Sequence, residues 1–137
     1  MSRSGYDEDC DNWALIRWRG AVEAAIRGKR GQALLKEMAE ALDAMPDKRL
    51  ISDELVTKQG EVCALGAVAK RRCLNVDGIE PYDSRRVAQT FGVAEAMVRE
   101  IAFINDDDFG YSDTPENRWK RVRKWVDENL KNAPASA

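Results

Sequence analysis

Residues 28–46 read GKRGQALLKEMAEALDAMP, and the reading of this stretch decides the fold. Leu34, Leu35, Met38, Ala41, Leu42 and Met45 recur at the three- and four-residue spacing of one helical face. Lys36, Glu37, Glu40 and Asp43 occupy the opposite face. Two glycines around Lys29-Arg30 mark a turn ahead of the helix, and Pro46 stops it. This is the clearest amphipathic helix in the chain, and it sets the class as mainly α.

Upstream, a helix from about Asn12 to Arg27 collects Leu15, Trp18, Val22, Ala25 and Ile26 within roughly 100° of its wheel, a coherent buried stripe. Trp13 lies on the far side, either packed at the helix entrance or exposed. Downstream, residues 47–62 read as a short two-stranded hairpin near 50–62 or as irregular chain. The run from Val62 to Ala69 is apolar all round, as suits a helix in the middle of a core, with Lys70, Arg71 and Arg72 at its C-terminal end. Asp83 or Ser84 can cap a short helix to Phe91, and Gly92 breaks it. A further helix from about Ala94 to Ile104 buries Met97, Val98, Ile101 and Ile104. Thr114-Pro115-Glu116 starts the last helix with a capping hydroxyl, a proline and an acid. That helix runs to about Lys131 and buries Trp119, Val122, Val126 and Leu130, with Trp125 at the edge.

These spacings predict a single compact domain of five or six helices over residues 12–131. Residues 1–11 form a weakly ordered N-terminal segment and 132–137 a flexible tail. A chain of 137 residues suits one such core. No stretch approaches the roughly 20 apolar residues of a membrane span, and the polar, acidic N-terminus lacks an export signal. The expected setting is the cytoplasm. Cys10, Cys63 and Cys73 form no CxxC pair. Ten residues of helix would hold the last two about 15 Å apart, so all three read as reduced thiols.

The sequence contains no histidine. That removes the commonest general base and metal ligand, and with them Ser-His-Asp and Cys-His chemistry. Non-enzymatic binding is the expectation, with no cofactor. The formal net charge of −2 conceals segregation: residues 13–30 and 118–137 carry +4 each, residues 105–117 carry −5 and residues 1–12 carry −3. Arg17, Arg27, Lys29, Arg30, Lys120, Arg121 and Lys124 are the candidate interaction surface, suited to a polyanion or an acidic protein if the two basic segments meet in space. Trp13 would stand beside it.

Residues 84–104 offer an alternative. Ala88, Gly92 and Val98 have the spacing of a helix-turn-helix, with Arg85, Arg86 and Arg99 as candidate DNA contacts. Glu95 and Glu100, read as outward-facing, would repel phosphate. Residues 105–116 invite a calcium reading, since Asn105, Asp107, Gly110, Asp113 and Glu116 fall at positions 1, 3, 6, 9 and 12 of an EF-hand-like loop. Phe109 stands where an oxygen ligand belongs, so a solvated loop that starts the last helix is favoured. A nucleophilic Cys63 near the acidic loop is the remaining enzymatic option, against a buried structural thiol.

The runs RWRGAVEAAIRGKRGQALLKEMAEALDAMP, GEVCALGAV and INDD…TPENRWKRVRKWV resemble small proteins of no known activity carried by tailed phages and prophages of Gram-negative bacteria. The resemblance spans about residues 16–130. More loosely, Cys63-Ala-Leu-Gly-Ala with a later Asn-Asp is similar to an actinobacterial family of unknown function. What the phage resemblance implies is a setting: an accessory protein in the host cytoplasm, binding a host or phage macromolecule, a protein before a nucleic acid.

Overall fold

The computed structural model describes Arg3, residues 12–107 and residues 113–131. Six α-helices form a single helical domain: α1 (Asn12–Arg27), α2 (Lys29–Ala44), α3 (Ala64–Arg71), α4 (Ser84–Phe91), α5 (Glu95–Asp106) and α6 (Pro115–Asn129). None is long and apolar enough to cross a membrane among the described residues. Residues 1–2, 4–11 and 132–137, expected to be weakly ordered, lie outside the described residues, as does Cys10.

The stripe of α2 is the floor of the core, with Leu34, Leu35, Met38 and Leu42 all sealed from solvent. It packs on α1, α3 and α6, while α5 packs on α1, α3, α4 and α6. The last six residues of the apolar octet read from the sequence lie in α3, buried from Ala64 to Ala69, while Cys63 caps the helix and Val62 precedes it. Two glycines make these contacts as close as they are. A Cβ on Gly31 would lie 2.0 Å from the Ala25 carbonyl oxygen, and one on Gly66 would lie 1.9 Å from that of Leu55. Gly31 is therefore a packing glycine inside α2, rather than the end of a turn. Gly28 alone separates α1 from α2.

Helix termini follow the capping residues. Asp83 accepts the Arg86 N–H at 3.1 Å, and Thr114 accepts the Asn117 N–H at 3.1 Å with Pro115 in the first turn. Gly92 ends α4 with φ +74°, a left-handed conformation that a Cβ disfavours.

Residues 47–62 take the irregular option. One antiparallel bridge joins Val56 and Val62, and the described residues contain no strand. Part of a hairpin's pairing forms around that bridge: the Ile51, Thr57 and Cys63 N–H groups donate to the Val62, Glu61 and Leu55 carbonyls, whereas the Leu50 N–H donates to the Pro115 carbonyl and the Leu50 carbonyl accepts from Arg118. The stripe of α1 also differs from its reading. Val22 and Ile26 are buried and Trp18 packs against the core, but Leu15, near the start of the helix, is 40% exposed.

Candidate interaction surface

The basic residues of α6 divide into two groups. Arg121 donates to the Ile104 carbonyl at 2.9 Å, to the Asn105 carbonyl and to Asp113. Arg118 reaches the Leu50 carbonyl and the same Asp113. Arg123 pairs with Asp43 of α2 at 2.8 Å. The acid read as part of a solvated loop thus neutralises two arginines of the following helix. The hydrogen bond from Arg121 holds the Asp113 carboxyl below the usual carboxylate range, against the opposing effect of burial. Asp43 is lowered likewise, first by its bond from Arg123. Arg121 therefore does not belong to a surface open to a partner: it fastens α6 to the end of α5.

The second group is unengaged. Lys120 and Lys124 are exposed, and among the described residues neither forms an ion pair or a side-chain hydrogen bond. The same holds for Arg17, Arg27, Lys29 and Arg30. The basic segments do meet, at one end of the molecule. The Gln32 amide donates to the Asn129 carbonyl at 3.0 Å and accepts the Lys131 N–H at 2.9 Å. The Lys131 ammonium in turn donates to the Arg27 carbonyl at 3.4 Å. The end of α6 is thereby docked on the α1–α2 turn. Arg27, Lys29, Arg30 and Lys131 gather there, and Lys120 and Lys124 share the face of α6 that leads to it, with Asp127 among them. Trp13 is not part of this end, since 14 residues of α1 put it about 21 Å from Arg27.

The helices α4 and α5 follow one another across Gly92, but the second is badly placed to read bases. Every residue of α5 is buried or half-buried, because α1, α3, α4 and α6 surround it. Arg99 pairs with Glu95 at 2.7 Å, donates to Ser84 and lies over the Trp18 ring at 5.3 Å. Glu100, read as outward-facing, is 4% exposed and pairs with Arg19 of α1. Arg85 and Arg86 are exposed on α4.

The first and ninth positions of the calcium-like loop face protein groups. The Asn105 side chain accepts the Ala64 N–H at 3.0 Å and donates to the Ile51 carbonyl, so it is a core residue. Asp113 holds its two arginines, and residues 108–112 lie outside the described residues. No cluster of three potential metal ligands occurs among the described residues.

Cys63 and the acidic segment do come together, around a residue absent from the sequence reading. Arg3 is 5% exposed, ion-pairs with Asp106 and points at the Cys63 sulfur from 3.9 Å. Burial alone would depress the guanidinium's pKa; Cys63 and Asp106 outweigh it and raise the value. The Asp106 carboxylate also accepts from the Asp53 N–H and the Asn105 amide, and Asp53 holds φ +67° to present that N–H. Cys63 caps α3 by accepting the Gly66 N–H and is 1% exposed. The thiol is sealed under Arg3, and the cluster ties Arg3 to the start of α3 and the end of α5. Cys73 is also a free thiol, exposed at the other end of α3.

A groove of about 500 Å³ lies between the end of α2 and residues 59–62. Met45, Ile51 and Val62 line it, and its rim carries Arg49, Lys70 and Arg71 against Asp47 and Glu61. Glu116 and Glu40 pair with two of those cations, so the rim has little net charge. No family model, curated protein or solved structure matches the chain.

Proposed function

We propose that this chain is a non-enzymatic interaction protein that holds a macromolecular partner, a protein with an acidic surface, on the basic end formed by the α1–α2 turn and α6. The observation that carries the reading is the sorting of cations. The arginines that could be neutralised inside the fold are paired, whereas Arg27, Lys29, Arg30, Lys120 and Lys124 are left without ion pairs among the described residues. Unpaired like charges gathered at one end repel each other and gain nothing for the fold; an acidic partner relieves the repulsion and speeds association. Phage or prophage origin, in the host cytoplasm, is part of the same reading and rests on the sequence resemblance alone.

The test is affinity purification from a host extract at low and high salt. A stoichiometric partner that Lys29→Glu/Arg30→Glu/Lys124→Glu no longer retains is the expected result. Retention of that partner by a folded triple variant would refute the proposed surface. Recovery of nucleic acid in place of protein would refute the partner class.

A further inference from the structure

Trp13 and Ile16 are 71% and 62% exposed, on a helix whose opposite face is in the core. They belong to one outward arc of α1 with Arg17, Gly20, Glu23, Ala24 and Arg27, all exposed. At about 100° per residue, each of these falls within roughly 60° of Gly20, and Val22 lies on the far side. A Cβ on Gly20 would meet nothing within 4 Å. An exposed indole and isoleucine beside a bare glycine and alanine form a ridge next to a hollow, and contiguous exposed apolar surface of this kind marks a contact.

We propose that this arc seats a second copy of the chain, with the two α1 helices antiparallel and crossing at Gly20. The arc is complementary to itself in that arrangement. A two-fold axis at Gly20 brings Trp13 of one copy level with Arg27 of the other, seven residues to either side of the crossing. Both lie within about 20° of the contact line, so each guanidinium can cover the opposing indole, and the pair is made twice. Ile16 comes level with Ala24, and the glycines at the crossing let the axes approach closely. A parallel pair would instead set Trp13 against Trp13 and Arg27 against Arg27, so that both cation–aromatic pairs are lost and two guanidinium groups are forced together. Charge therefore selects the antiparallel form. Arg17, Glu23 and Arg27 form no ion pair among the described residues that would have to break first.

A contact built from 16-residue helices about 24 Å long falls short of the area of a permanent dimer, so the association is weak and reversible. It would carry the two basic ends on opposite sides, with their α1–α2 turns about 24 Å apart.

Sedimentation velocity on the full chain, from about 1 µM to about 300 µM, tests the pairing. The expected result is a concentration-dependent shift from monomer to dimer. Trp13→Arg puts cation against cation and should hold the chain monomeric throughout, with an unchanged far-UV circular dichroism spectrum. Adding Arg27→Trp to it restores the cation–aromatic pair in reversed order and should restore the dimer. A wild-type chain that stays monomeric, or a Trp13→Arg variant that dimerises as well as wild type, would overturn the proposal. Failure of the double variant to recover would overturn the antiparallel register. Lys29→Glu/Arg30→Glu lies outside the arc and should leave dimerisation unchanged, which separates this result from the fate of the basic end.

Discussion

Arg121 of α6 and Arg30 of α2 carry the same guanidinium, yet their surroundings are opposite. Arg121 has the Ile104 and Asn105 carbonyls and the Asp113 carboxylate within hydrogen-bond reach. Arg30 stands exposed, with no such partner among the described residues. Both belong to segments of equal net charge, so the local density of positive charge does not distinguish a fastening from an unengaged cation. What does is the position of the neighbouring acids. Asp113 stands two residues before α6 and is aimed back at it, whereas among the described residues no carboxylate pairs with the cations of the α1–α2 turn.

Removing the anchors of the engaged set is the strongest way to sharpen the contrast. Asp106→Ala leaves Arg3 charged, buried and unpaired, and should cost about 3–5 kcal/mol in urea unfolding. A loss below about 1 kcal/mol would show that Arg3 is not held in the fold. Asp113→Ala strips Arg118 and Arg121 of their shared acceptor, and a loss of about 1–3 kcal/mol is expected from thermal melting. An unchanged melting point would place Arg121 with the unengaged cations.

Acid should act on the same contacts. Asp113, Asp43 and Glu37 titrate lower in the fold than free carboxylates, each first through a hydrogen bond from an arginine. Such groups contribute stability above the unfolded value of about 4, and lose it as pH falls through their lower native values. Stability should therefore fall below about pH 4, and Asp113→Asn should flatten that fall at the cost of stability near neutrality. An identical pH profile for wild type and variant would contradict the pairing. The smallest effect belongs to the basic end: Lys29→Glu/Arg30→Glu should change unfolding free energy by no more than about 0.5 kcal/mol. A larger loss would mean that these cations, too, help hold the fold.

The helices were legible because their signals are local. Thr114-Pro115 starts α6 and Gly92 ends α4 through groups at most a few residues apart, and the stripe of α2 repeats within one element. The buried charges were not. Arg3 finds Asp106 across 103 residues, inside a segment whose composition suggests only solvent. Glu100 looks outward on its own wheel and is buried because α1 crosses that face with Arg19. The exposure of Leu15 escaped for the same reason, since period alone says which side faces inward, not how far the core extends. Of the candidate surface, Arg27, Lys29 and Arg30 are exposed, while the half-burial of Arg121 depends on where the carbonyls at the end of α5 lie.

The central claim, that the unpaired basic end is the contact surface, is most directly tested by two charge reversals of matched size on the same bait. Lys29→Glu/Arg30→Glu alters the basic end, and Arg85→Glu/Arg86→Glu alters exposed arginines on α4. Partner recovered per mole of bait should fall at least about tenfold for the first, equivalent to about 1.4 kcal/mol, and stay at the wild-type level for the second. Equal loss in both would reduce the effect to net charge, and retention by the first with loss in the second would move the surface to α4.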